Sequence, residues 1–230
     1  MLLITFSGLD GSGKSTHVAR TAYYLSRRGY RVGVLPAARI SAGGILVVAS
    51  HILQRLTPRA RQVKKQGTSA QLRYRTYAAG PAVRPGWRQR AVSHTRLIVY
   101  PLDCLALFLW IRLLHWRGYT AVVCDRYIYD KMANLPAPNG SLGRLMCRLA
   151  PRPDVAFLID TLPEVARRRR EEHDASYYAV KYAGYRQLIS ARRELTSIPS
   201  TTIEETQQAV EQVLDACIAQ QPIAFAYRTA

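Results

Sequence analysis

The chain has 230 residues, 48% hydrophobic and 21% charged, which is long enough for one well-buried domain, short for two, and excludes a disordered protein. Lysine and arginine number 33 against 15 acids, a net charge of +18; this admits polyphosphate, nucleic acid or an acidic surface as partner, and a solvated basic face accounts for it equally. The only lysines are Lys14, Lys64, Lys65, Lys131 and Lys181, so the charge is mostly arginine, whose planar fork suits a bidentate grip on phosphate.

Cys104, Cys124, Cys147 and Cys217 form no C-x-x-C pair and read as reduced thiols, as expected in a reducing compartment. No secretory pattern is visible at the start, where a strand-like run begins at once. The expectation is a cytoplasmic protein, residues 1–230 forming a single domain.

In chain order, Leu2 to Ser7 is an apolar, β-rich run that reads as a central strand, followed by Gly8. Residues Ser15 to Arg28 have helical spacing, with Val18, Ala22 and Leu25 on one face and Gly29 at the end. A second strand, Arg31 to Leu35, stops at Pro36. Residues 37–95 are rich in Arg, Gln, Gly and Pro; helical pieces are expected near 45–56 and 68–79. The apolar stretch Leu97 to Trp116 contains Asp103, Arg112 and His115. Charges inside a bilayer are costly, so it reads as a buried helix closed by Gly118, and no transmembrane segment is expected. A strand from Thr120 to Cys124 ends on Asp125, a loop covers 134–140, and a short helix spans Leu142 to Leu149. Another strand is expected at Val155 to Asp160, helices at 163–172 and 175–194, a weak strand at Leu195 to Ile198, and a helix from Thr202 to Gln220. Pro163 suits a helix start, and Thr202 with Glu205 makes a capping box.

Strands alternating with helices predict an α/β fold, a parallel sheet flanked by helices on both faces. Ligands in such sheets sit at the carboxyl ends of the strands. Asp10, Asp125 and Asp160 all follow strand runs, so they should crowd one edge.

Residues Gly8-Leu9-Asp10-Gly11-Ser12-Gly13-Lys14-Ser15 satisfy G-x-x-x-x-G-K-[ST] between a strand and a helix. In that context the loop points backbone N–H groups at phosphate oxygens, and the helix N-terminus adds its dipole. Lys14 should reach the β- and γ-phosphates of ATP and the Ser15 hydroxyl should ligate Mg²⁺. Asp125, at the end of Val122-Val123-Cys124, has the Walker-B arrangement that helps hold the metal, with Arg126 beside it. The run Arg167-Arg168-Arg169-Arg170 follows Pro163; arginines from a lid can neutralise transferring phosphoryl oxygens, while a solvated face or a nucleic-acid contact is the alternative. A helix turns 100° per residue, so at most two of the four face one site. Tyr74, Tyr77, Trp87, Tyr127, Tyr129, Tyr177 and Tyr178 could stack a base or simply pack.

Residues Gly8 to Thr16, Asp125-Arg126-Tyr127, and Pro153 to Asp160 with Pro163-Glu164-Val165 resemble the thymidylate kinase family, in order and spacing, across most of the chain. Ile203-Glu204-Glu205 resembles that family's C-terminal segment. The resemblance implies a P-loop NTPase three-layer fold with a five-stranded parallel sheet, Mg-ATP as donor, dTMP as acceptor and a homodimer. It places Gly8, Gly11, Ser12, Gly13, Lys14, Ser15 and Thr16 on ATP, Ser15 and Asp125 on Mg²⁺, Asp10 near the acceptor sugar and Arg126 on the acceptor phosphate. Position 11 is Gly, so the loop lacks the arginine one version of the family carries there; the lid, about 163–175, would supply it through Arg169 and Arg170. On the acceptor side the chain departs: no acid follows Pro36, and Asp103-Cys104-Leu105 stands where the family carries an arginine. A kinase for another acceptor, such as a deoxynucleoside or a small phosphorylated metabolite, and a nucleotide-dependent nucleic-acid-binding protein are the alternatives. Nucleic acid is not the expected partner.

Overall fold

The computed structural model describes residues 1–36 and 87–220, with side chains throughout except at 87–96. The expected helical pieces at 45–56 and 68–79, and Tyr74 and Tyr77, lie outside the described residues. Five strands form one parallel sheet: β1 (Leu2–Gly8), β2 (Val32–Pro36), β3 (Ala121–Asp125), β4 (Val155–Asp160) and β5 (Leu195–Pro199). Their order is β2-β3-β1-β4-β5. The described helices are α1 (Lys14–Arg27), α2 (Trp87–Trp116), α3 (Ile128–Met132), α4 (Ser141–Leu149), α5 (Pro163–Arg169), α6 (Ala175–Ala191) and α7 (Ile203–Gln220).

Alternate residues of a strand face opposite sides, and here both sides are covered. Leu2, Ile4 and Phe6 of β1 pack with Val18 and Leu25 of α1 and Val210 and Leu214 of α7. Leu3, on the other face, joins a cluster with Leu107 and Ile111 of α2, Met132 of α3, Met146 of α4 and Leu188 of α6. All of β1 is buried, which is why its sequence is a continuous apolar run rather than an alternating one. The register sets Phe6 beside Asp125, Gly8 beside Ile159 and Asp160 beside Pro199. The ends of β1, β3 and β4 therefore share one edge, and Asp125 and Asp160 lie there with the loop that follows Gly8.

The local signals at α7 behave as expected. The Glu205 amide donates to Thr202 Oγ1 at 3.2 Å, and the Thr202 amide donates to Glu205 Oε2 at 3.4 Å. The weak strand is real and becomes edge strand β5, with Leu195 and Ile198 buried. One element was not anticipated. Helix α3 is only five residues long, too short for a period to show, and the Asp130 carboxylate accepts the Tyr127 amide at 3.2 Å to start it.

The expectation of a buried helix at Leu97 to Trp116 is corrected. Asp103, Cys104, Leu107 and Ile111 are buried, but Leu97, Ile98, Leu102, Leu105, Leu109, Trp110 and Trp116 are exposed, Trp116 at 81%. By length and a mean hydropathy of 2.0 this is the one helix among the described residues able to cross a membrane. Its buried stripe nevertheless packs on the sheet-side core, and buried Asp103 pairs with Lys131 of α3. An apolar composition predicts burial only where a partner covers each face, and one face of α2 has none among the described residues.

The centre of the α1/α7 side is the pair Phe6 and Phe157, with ring centroids 5.1 Å apart and both fully buried. Phe157→Ala should destabilise the protein by about 3–5 kcal/mol through lost transfer energy and a residual cavity. Urea unfolding measures this, and a loss under about 1 kcal/mol would mean the core is packed differently.

Candidate functional site

The loop between β1 and α1 is shaped by glycine. Gly11 and Gly13 sit at φ 88° and 87°, a region L side chains rarely enter. A Cβ on Gly11 would also meet the Ala166 carbonyl of α5 at 2.4 Å, so the loop and α5 approach each other as closely as backbones can. Gly13 caps α1, and its carbonyl accepts the amides of Thr16 at 3.0 Å and His17 at 3.3 Å.

Lys14 is buried and donates to the Gly8 carbonyl at 2.9 Å, the Leu9 carbonyl at 2.5 Å and Ser12 Oγ at 3.3 Å. All three N–H groups thus lie within the loop. Burial lowers its pKa to about 8, against the pull of nearby carboxylates such as Asp130 and Asp10. Ser15, the first turn of α1, donates its hydroxyl to Asp125 Oδ2 at 2.7 Å. The parallel β1–β3 register makes that contact across 110 residues of sequence. A hydroxyl and a carboxylate are hard oxygen donors, the set that suits Mg²⁺. These two residues fit the ion, and no cluster of three or more His, Cys, Asp or Glu side chains exists among the described residues to compete.

Beside this lies a buried ionic cluster. Arg126 adopts φ 70°, a left-handed conformation that costs a non-glycine residue about 1–2 kcal/mol. This turn follows β3 directly, and its guanidinium pairs with Asp10 Oδ1. Asp10 Oδ2 accepts the Tyr177 hydroxyl at 2.6 Å and Lys181 Nζ at 3.3 Å. Burial alone would raise the Asp10 pKa. Lys181, Arg126, the Tyr177 hydrogen bond and Lys14 outweigh it and hold the carboxyl well below the usual range. Burial likewise opposes the Arg126 charge, but Asp130 and Asp10 prevail and keep it protonated. Tyr185, fully buried, accepts the Gly8 amide at 3.3 Å and lies 2.9 Å from Asp130 Oδ1. The loop is thereby tied to α6 and α3 as well as to β3.

Of Arg167 to Arg170, Arg170 stands nearest the loop: its Cβ would be 3.2 Å from a Cβ on Gly11. Its guanidinium pairs with Glu172 at 2.8 Å. Arg169 donates instead to Ser200 Oγ at 3.3 Å, and Arg167 and Arg168 line a groove between α5 and α6 with Tyr178. Asp160 shares the edge but pairs with Arg186 at 3.8 Å. Tyr127, Tyr129, Tyr177 and Tyr178 are buried, so their role is packing and hydrogen bonding rather than stacking on a base.

Sequence reasoning missed Asp130, Lys181 and Tyr185. The available signal was the spacing Tyr177, Lys181, Tyr185, every fourth residue and so one face of a helix; a lysine in the middle of an aromatic stripe was the anomaly.

No family profile matches the chain. It is 28% identical over 172 residues to a protein named probable thymidylate kinase from Archaeoglobus fulgidus, covering 73% of this chain and 68% of that one. It is 30% identical over 168 residues to another of that name from Methanothermobacter thermautotrophicus, covering 73% and 69%. The P-loop geometry, the five-stranded parallel sheet and this similarity agree, and the chain belongs to the thymidylate kinase family of nucleoside-monophosphate-phosphorylating transferases.

Proposed function

We propose that the protein moves the γ-phosphoryl of Mg-ATP onto dTMP, giving dTDP. The observation that carries this reading is adjacency: the Ser15–Asp125 pair and the Asp10–Arg126 pair lie side by side, one on each flank of the same loop. The first pair suits a metal and the second an acceptor. Mg²⁺ held by Ser15 and Asp125 would supply positive charge between the phosphates. Amides of Gly8, Gly11, Ser12, Gly13 and Thr16 would cradle the donor, and Lys14 would turn from its carbonyls toward the β- and γ-oxygens. Arg126 would bind the acceptor phosphate, Asp10 would lie by the sugar, and Arg170, with Arg169 second, would close from the lid. Catalysis of this kind is positioning and electrostatics, with no covalent step by the protein.

A second reading has its own support. Cys104 is 1% exposed and lies in the core cluster beside Leu107 and Met132. Asp103 beside it is paired with Lys131 and Leu105 is an exposed aliphatic side chain, so none of residues 103–105 offers the donor the resemblance implies, and the base of dTMP would be read elsewhere or the acceptor would be a deoxynucleoside or a small phosphorylated metabolite. A panel of nucleoside monophosphates, nucleosides and small sugar phosphates with labelled ATP decides between them. The expected outcome is transfer to dTMP, reduced at least about 100-fold by Lys14→Ala with the fold retained. Transfer to no member of the panel, or a fully active Lys14→Ala, would end the proposal.

The pKa of Lys14 gives a pH dependence. Phosphate oxygens favour the ammonium, so binding raises its pKa and draws in a proton. Affinity for Mg-ATP should be flat below about pH 8 and fall by up to about tenfold per unit above it, toward the ordinary value of 10.5. Calorimetric titrations at pH 7.0, 8.0 and 9.0 would show it, and a constant affinity refutes the assignment of Lys14.

We further propose a cytoplasmic homodimer, joined through the exposed face of α2. Ile98, Leu102, Leu105, Leu109 and Trp116 recur at intervals of four, three, four and seven, the stripe of a helix that meets another helix. Sedimentation should give a dimer, and Leu105→Glu with Leu109→Glu should give a monomer; a wild-type monomer at micromolar concentration would rule this out.

A further inference from the structure

Helix α6 presents Tyr177, Lys181 and Tyr185 to the loop. Tyr185 bridges Gly8 and Asp130, and Tyr177 bonds Asp10. Lys181 has no such evident task. It is 2% exposed, with Nζ 3.3 Å from Asp10 Oδ2 and 3.1 Å from the Tyr177 hydroxyl oxygen. A position facing the core of an α/β sheet is ordinarily aliphatic, and an ammonium so far from water is costly unless charge partners hold it.

The arithmetic of the cluster gives it a purpose. The charged groups that act on one another here are buried Lys14, Lys181, Asp10 and Asp130 and half-buried Arg126. Three cations and two carboxylates leave one positive charge. Without Lys181 the set is neutral, and Asp10 belongs to Arg126 alone. Lys14 spends its N–H groups on the loop, and Lys181 is sealed from solvent. The Arg126 side chain is 32% exposed, so the surplus charge can meet a ligand through its remaining N–H groups.

We infer that Lys181 is a positioning residue that shares Asp10 with Arg126, leaving the Arg126 guanidinium charge available to the phosphate of an acceptor. The inference rests on the reading of Arg126 as the acceptor-side arginine. It makes the site selective for acceptors that already carry a phosphate. A neutral nucleoside gains little from a net positive cluster, whereas a phosphate reaching the half-buried Arg126 guanidinium gains more. Tyr177 completes the device, donating to Asp10 and accepting from Lys181, so that both cations hold the carboxylate in one pose.

The test compares wild type, Lys181→Gln and Lys181→Arg, with dTMP, thymidine and inorganic phosphate as probes. In Lys181→Gln the dissociation constant and KM for dTMP should rise about tenfold while KM for Mg-ATP stays within about twofold. Discrimination against thymidine should shrink by the same factor. Lys181→Arg, which keeps the charge, should restore dTMP binding to within about threefold of wild type. A purely structural lysine would move both KM values together or neither. Should Lys181→Gln not fold, the wild-type protein decides: with five lysines in the chain, the ¹⁵Nζ signal of Lys181 is assignable. It should shift on addition of dTMP and stay put with thymidine. Unchanged dTMP affinity in folded Lys181→Gln, or a Lys181 signal indifferent to dTMP and phosphate alike, overturns the inference. Lys181-dependent binding of dTMP without any phosphoryl transfer would sink the proposed function and leave this inference standing. Transfer that is insensitive to Lys181→Gln does the reverse.

Discussion

An ionised carboxylate is held almost out of water at the tip of a glycine loop, and the architecture around it follows from that constraint. Asp10 is 4% exposed. A buried charge is tolerable only when partners of opposite sign and good hydrogen bonds replace its water. Those partners come from far along the chain: Arg126 from the turn after β3, and Tyr177 and Lys181 from α6. The chain must therefore bring two remote segments to the loop before the loop is stable. The parallel register does most of this by aligning the ends of β1, β3 and β4. The close approach of Gly11 to Ala166 adds α5. Positioning of the phosphate loop and assembly of the neighbouring half of the site are one event.

Some of this was legible in the sequence, and the difference between what was and was not is physical. The loop from Gly8 to Ser15 and the strand ending at Asp125 announce themselves because each is a short local pattern with one structural solution. The strand β4 and the capped start of α7 are of the same kind. The ionic cluster is not local: Lys181 is 171 residues from Asp10, and nothing near it in sequence says which charge it meets. The exposed face of α2 failed for another reason. Hydropathy records that Leu102, Leu105 and Leu109 prefer to leave water, and it is silent on whether the same chain provides the cover. The arginine run illustrates a middle case. Helical geometry limited how many of Arg167 to Arg170 could share a site, and the packing of α5 on the loop brings the Cβ of Arg170 nearest to Gly11.

The two halves of the site differ in how far they follow the family. The phosphate side keeps the glycine loop, Lys14 and the Ser15–Asp125 contact. On the acceptor side, Asp103 is neutralised by Lys131 and Cys104 is enclosed in the core, so α2 there serves packing. The same burial pushes the Cys104 thiol's pKa up to about 11 and leaves it an inert hydrophobe. On the proposed reading, recognition of the acceptor would lean on charge, through Arg126 and the groups that share its carboxylate, rather than on a donor from α2.

The backbone at Arg126 is held in a conformation that its residue type disfavours. A left-handed turn at a bulky residue is strained, and glycine would relax it by about 1 kcal/mol. Glycine would at the same time remove the guanidinium that balances Asp10, and stripping a nearly buried carboxylate of an ion-pair partner costs more than that strain. Heat tolerance has no easy gain at this position, because the strained turn and the charge it carries to Asp10 come as one piece.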